Sequence, residues 1–134
     1  MKVVIDTNII MAMLIKPGKP IDLFFNDEFE IYAPFLLIEE LIRNNEIILK
    51  KSGLHPEEVK RLYLILREKI IFVPEQDFVH LLKAGAAICP DSKDVVFFCL
   101  ALYLQCPLWS NERFQQDTVK VYTTHELMNL FQAD

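Results

Sequence analysis

Asp6 and Glu112 each follow a short apolar run that reads as a buried β-strand, Lys2–Ile5 ahead of the first and Pro107–Ser110 ahead of the second. A strand that delivers a carboxylate at its exit holds that charge on a rigid frame, and in open parallel sheets sites form outside the carboxyl ends of the strands. Under the simplest topology two more acids face the same end: Asp94, which begins an apolar helix, and Glu40, in the first turns of the helix after Pro34. Carboxylates forced together repel, and some take up protons. Mg²⁺ or Mn²⁺ would remove that conflict, because hard dications choose oxygen ligands. Such an ion polarises a phosphoryl oxygen and activates a water for in-line attack, and two ions about 3.5–4 Å apart stabilise both attacking and leaving oxygens.

The neighbours of these acids suit supporting roles. Thr7 and Ser110 can hydrogen-bond a metal-binding carboxylate or a water, and Asn8 can orient Asp6. Asp91, close to Asp94, and Asp117, in the loop after Glu112, are substitutes for a place in the cluster. Lys93 and Arg113 flank the site and can reach a phosphate. Every assignment has a plain structural counterpart. Asp6 and Asp94 stand where a helix cap would, Thr7, Asn8 and Ser110 are ordinary helix-start or capping residues, and Lys93 and Arg113 suit a solvated surface. His55, His80 and His125 share no ligand or triad spacing. Trp109 inside a strand reads as core, and the Phe24-Phe25 and Phe97-Phe98 pairs as core or dimer surface.

The elements that must position the acids alternate along the chain. Lys2–Ile5 is a strand, and Asp6-Thr7-Asn8 caps an apolar helix through Ile15 that the Pro17-Gly18-Lys19-Pro20 loop ends. A short helix near Ile21–Asn26 and a strand at Phe29–Ala33 follow. Pro34 opens a helix to about Lys50, Gly53 stops it, and His55-Pro56-Glu57-Glu58 starts another through about Glu68, its early acids matched to the helix dipole. Lys69–Val73 is the third strand, and a helix covers roughly Gln76–Ile88. The loop from Cys89 to Lys93 precedes the helix Asp94–Gln105, then come strands at Pro107–Ser110 and Val119–Thr123 and a last helix at Thr124–Phe131. This alternation predicts an α/β sandwich around a mostly parallel sheet of about five strands. The segments with least order are expected at Lys16–Pro20 and Lys50–Gly53.

Composition narrows the function classes. With 134 residues, 52% of them hydrophobic, the chain suits one domain with a sizeable core, 1–134. The acid that follows Val3-Val4-Ile5 comes too early for a signal-peptide core, and no apolar run approaches the roughly 20 residues that span a bilayer, so a cytoplasmic protein without a membrane segment is expected. Three cysteines, Cys89, Cys99 and Cys106, form no CxxC pair and read as reduced, mostly buried thiols. The net charge of −5 departs from the clustered basic surface of most nucleic-acid binders, and an acid cluster awaiting a dication accounts for the excess.

Four segments, in order, resemble the PIN domain, in particular VapC-like toxin ribonucleases. Val3-Val4-Ile5-Asp6-Thr7-Asn8 is similar to the family's opening strand and Asp-Thr-Asn. Ala33-Pro34-Phe35-Leu36-Leu37-Ile38-Glu39-Glu40-Leu41 matches its second acid, and the acid before Leu selects Glu40 over Glu39. Asp94 with Ala101 seven residues later matches the third, and Ser110-Asn111-Glu112 the fourth. The departure is Glu112, where the family commonly has Asp. The resemblance implies a PIN-like α/β/α sandwich and a Mg²⁺- or Mn²⁺-dependent endoribonuclease with Asp6, Glu40, Asp94 and Glu112 as metal ligands and catalytic acids. It also implies an RNA substrate, a small antitoxin protein as partner, and a homodimer. Two other readings fit the residues. One is a degenerate module of this type that binds RNA or protein without catalysis. The other is a phosphatase or receiver-like phosphoacceptor, which the absence of Asp-x-Asp at Asp6 and of paired acids at the first strand disfavours.

Overall fold

The computed structural model describes residues 1–89 and 91–131, so Pro90, in the loop expected before the sixth expected helix, lies outside the described residues. Five strands form one sheet in the order β3-β2-β1-β4-β5, with β1 Lys2–Ile5, β2 Glu30–Pro34, β3 Ile70–Val73, β4 Leu108–Trp109 and β5 Val121–Tyr122. Every pairing is parallel, which sharpens the expected mostly parallel sheet. β1 is central, in register with β2 through Val3↔Ile31 and with β4 through Ile5↔Trp109. Val3, Val4 and Ile5 are each 0% exposed. Successive strand residues point to opposite faces, so helices must cover both sides of the sheet here, and a continuous apolar run is what such a strand requires.

The helices are α1 Thr7–Ile15, α2 Lys19–Phe24, α3 Leu36–Arg43, α4 Asn45–Ser52, α5 Pro56–Lys69, α6 Leu82–Ile88, α7 Val95–Leu104 and α8 Thr124–Phe131. Helix α7 is apolar all round, with Phe97 to Ala101 buried, and it packs across β1, β2 and β4 while α6 packs on its other side. A helix apolar on every face belongs inside a core. Contact between α6 and α7 is close because Gly85 has no side chain: a Cβ there would lie 2.4 Å from the Cys99 sulfur. Trp109, Phe24, Phe29 and Phe98 fill the centre, and the Trp109 ring is tied at Nε1 to the Thr124 hydroxyl at 2.9 Å.

Four segments differ from the sequence expectation. The helix expected from Pro34 to Lys50 is broken into α3 and α4 at Asn44, whose side chain and backbone amide both donate to the Glu40 carbonyl at 2.7 and 3.0 Å. An Asn that offers the backbone a local alternative to the helical bond is a physical cause of such a break. The helix expected at Gln76–Ile88 is two 3₁₀ turns, Glu75–Asp77 and Val79–Leu81, ahead of α6. Between them Phe78 leaves the helical region, at φ −128° and ψ 9°, and is fully buried, so tertiary packing of one ring overrides the helical run. The two segments expected to have least order carry helix in part. Lys19 and Pro20 start α2, and α4 continues to Ser52 before Gly53 closes it in the left-handed region at φ 66°. No helix among the described residues is long and apolar enough to cross a membrane. Cys89, Cys99 and Cys106 are free thiols, the first two buried.

Candidate active site

Parallel pairing puts the C-terminal ends of β1 and β4 side by side, and the site is built there. The Asp6 amide donates to the Trp109 carbonyl at 3.0 Å, which carries the β1–β4 ladder one residue beyond the strand and fixes the Asp6 backbone. Asp6 is buried, and although it occupies the cap position of α1 its carboxylate makes no capping hydrogen bond. It accepts instead from the fully buried Ser110 hydroxyl, at 2.8 Å. Asp94 is also buried, holds the cap position of α7, and likewise makes no side-chain capping bond. Two acids that local sequence would assign to capping are thus free for another task.

Glu112 meets them from the loop after β4. One ligand oxygen each from Asp6, Asp94 and Glu112 lie within 4.8 Å of one another. Two contacts bring Glu112 in: its amide donates to the Ser110 hydroxyl at 3.1 Å, and the Asn8 side-chain amide donates to its Oε1 at 2.8 Å. Glu40 stands beside this trio, not within it. Its Oε1 accepts from the Thr7 hydroxyl at 2.7 Å, and its charge is felt at Asp6. The structure therefore brings together three of the four acids singled out in sequence and ties the fourth to α1 through Thr7.

The electrostatics are those of a strained anionic pocket. Burial pushes the Asp94 carboxyl up to about 7, with the negative charges of Glu112, Asp6 and Asp91 adding to the shift and Lys93 opposing it. Burial also raises Asp6 above the usual carboxylate range, helped by Glu112 and Glu40; the Ser110 hydroxyl and the Asn8 backbone N–H pull the other way. These are the causes expected of desolvated like charges. The donor set, three carboxylates within mutual reach, fits a hard divalent cation and offers no soft ligand. A cleft of about 830 Å³ opens beside Glu112, lined in part by Arg113, Gln116, Asp117, Thr118 and Lys120. Of the trio, Glu112 lies on its wall.

The remaining sequence candidates fall elsewhere. Asp91 acts on Asp94 through its charge while its Oδ1 accepts from the Lys93 amide at 3.0 Å, and Asp117 is exposed on the cleft wall. Neither belongs to the trio. Among the histidines, His55 caps α5 through Nδ1, His80 meets the Tyr103 ring edge-on, and His125 faces Asn129. Two side-chain bonds have partners the residues did not name: Asn8 serves Glu112, 104 positions away, where Asp6 was expected, and Thr7, expected to meet a carboxylate or a water, donates to Glu40, 33 positions away. No local pattern announces either pairing.

An all-parallel sheet that gathers carboxylates at the exits of neighbouring strands defines a class of acid-cluster α/β domains. The particular family follows from the sequence as a whole: a PIN domain model matches residues 4–131, and the chain belongs to the PIN domain family. PIN domains are in general nucleases that use divalent metals. Among curated proteins no relative matches the chain.

Proposed function

We propose that residues 1–134 form one PIN-like domain that hydrolyses RNA phosphodiester bonds as a Mg²⁺- or Mn²⁺-dependent endoribonuclease. The observation that carries this reading is the convergence of Asp6, Asp94 and Glu112 within 4.8 Å at the C-terminal edge of the sheet. Asp6 and Asp94 would hold the principal ion, and Glu112 and Glu40, the latter hydrogen-bonded by Thr7, would complete the cluster or serve a second ion. A bound dication would polarise the scissile phosphoryl group and make a water nucleophilic near neutral pH. Ser110 orients Asp6, and its hydrogen bond opposes the effect of burial on that carboxylate, the function of partners behind metal ligands. Lys93, whose charge is felt at Asp94, and Arg113, on the cleft wall, would meet phosphates, and no protein nucleophile takes part. Single-stranded or looped RNA suits an open cleft, since its backbone and bases are accessible.

The wider setting is the toxin half of a toxin–antitoxin pair in the cytoplasm, with a small antitoxin protein covering the site and a homodimer as the working form. A short neighbouring reading frame with a DNA-binding start would support it. Asp6→Asn with circular dichroism unchanged should abolish cleavage of single-stranded RNA, and undiminished cleavage would overturn the reading. The net charge of −5 favours one rival, a degenerate module that binds without catalysis. Calorimetric titration with Mn²⁺ separates them: stoichiometric binding that Asp6→Asn removes counts against the inert module.

A further inference from the structure

Glu112 is an exposed residue on a loop, yet its carboxylate joins two buried acids. A glutamate side chain has three rotatable bonds, and ordering it has an entropic cost. Coulomb repulsion from Asp6 and Asp94 also favours the rotamers that turn away. The structure opposes both tendencies at the two ends of the residue. At the backbone, the Glu112 amide is held by the Ser110 hydroxyl, which also donates to Asp6. At the tip, Asn8 donates to Oε1. Asn8 is the second residue of α1, two positions from Asp6, so the helix start that follows one acid also restrains another. An uncharged donor is suited to this place, because it holds one carboxylate oxygen and leaves the second for a cation without competing as a counter-ion.

Side-chain length enters the same geometry. An aspartate at position 112 would be shorter by one carbon–carbon bond, about 1.5 Å. With its backbone fixed by Ser110, it would reach Asn8 or the other two acids, not both.

We propose that Asn8 is a positioning residue whose side-chain amide holds Glu112 in the ion-binding arrangement, and that the pair Asn8–Glu112 is matched to the length of glutamate. The inference rests on the metal-dependent reading above and concerns how the chain's own residues form the site.

Asn8 is exposed, so Asn8→Ala should leave the fold intact, and thermal melting checks that. The test uses the full chain as wild type, N8A, E112D and the double variant. In metal-free wild type the two Glu112 γ-methylene protons should have distinct NMR shifts, and in N8A they should merge. Mn²⁺ titrated alone by calorimetry should bind about tenfold more weakly to N8A, the scale of loss expected when a partner of a metal ligand is removed. E112D should weaken it comparably, and the double variant should be no more than about twofold worse than the weaker single, as expected of residues acting on one contact. Merged shifts in the wild type overturn the proposal, as do an N8A affinity within twofold of wild type and single effects that multiply in the double variant. Wild type that shows the coupling but leaves RNA uncut sustains Asn8–Glu112 and overturns the nuclease. RNA cleavage with an indifferent N8A does the reverse, and a wild type that binds no Mn²⁺ overturns both.

Discussion

Two pairs of helix starts in this chain share one local grammar and do opposite things with it. At α5, His55 accepts from the Glu57 amide and Glu58 accepts from the His55 amide, while at α8, Thr123 and Glu126 exchange the same two bonds at 3.0 and 3.1 Å. These are reciprocal caps that satisfy backbone donors at the surface. At α1 and α7 the cap positions hold Asp6 and Asp94, yet neither carboxylate caps. The consequences for charge are opposed. Glu126 is pulled below its ordinary range by the backbone and hydroxyl hydrogen bonds of Thr123, whereas Asp6 and Asp94 are pushed up by burial and by neighbouring carboxylates, Glu112 in both cases. A helix N-terminus by itself favours an anion. Asp94 is nonetheless raised to about 7, by burial first and then by like charge, with Lys93 opposing.

The comparison can be broken most sharply at α7. Asp94→Asn should reduce RNA cleavage by more than about 100-fold, since even partners of metal ligands are worth about 10–100-fold. The metal-free variant should melt higher than wild type at pH 8, because a buried charge beside two others is removed. An unchanged turnover would return Asp94 to the status of a failed cap.

Ser110→Ala comes next. It deletes the buried hydroxyl that serves both Asp6 and the Glu112 amide. We expect a loss of ~1–3 kcal/mol in urea unfolding, the range for a buried hydrogen-bonding group left without its partner. Cleavage should fall about 10–100-fold. A purely structural Ser110 would show the first effect with no change in Mn²⁺ affinity.

Stability against pH should separate the two kinds of helix start. The folded Asp94 carboxyl titrates at about 7, above its ordinary 3.8, so between those values the folded state binds the extra proton. Its contribution in metal-free protein is present below the ordinary value and lost as pH rises through 7. Glu126 runs the other way: its folded value is depressed, so its contribution is present above its ordinary 4.5 and lost as pH falls. Denaturation of metal-free D94N across pH 4–8 should therefore be flatter than wild type, and a wild-type curve that rises towards pH 8 would contradict the assignment. Mn²⁺ affinity should increase through the same window, because binding expels the proton.

The smallest effect is expected at α8. Thr123→Ala should cost about 1 kcal/mol, the usual worth of a lost cap. It should leave Mn²⁺ affinity unaltered, and a change there would blur the distinction between structural and site-forming helix starts.

Much of the architecture was legible in the residues, and the reasons are local. Val3-Val4-Ile5 reads as a short buried strand, and Gly53, Pro56 and the acids after it marked an end and a beginning that the structure has. The α3–α4 break and the 3₁₀ turns around Phe78 were not legible, because an Asn side chain and one buried ring decide them against a favourable helical pattern. Within the site, Asp6 and Asp94 could be singled out as acids beside apolar runs. Whether they capped their helices could not be read, since a cap and a ligand share the same residue and position.

The sequence by itself determined an alternation of strands and helices, an acid at each of four places, and a family membership spread over residues 4–131. Tertiary structure alone decided that three of those acids share one pocket, that Glu40 stands aside with Thr7, and that Asn8 reaches Glu112. The physical reason is that hydrophobic periodicity and capping act over one or two turns, whereas repulsion and desolvation depend on distances between carboxylates 18 to 106 positions apart that only the folded sheet sets.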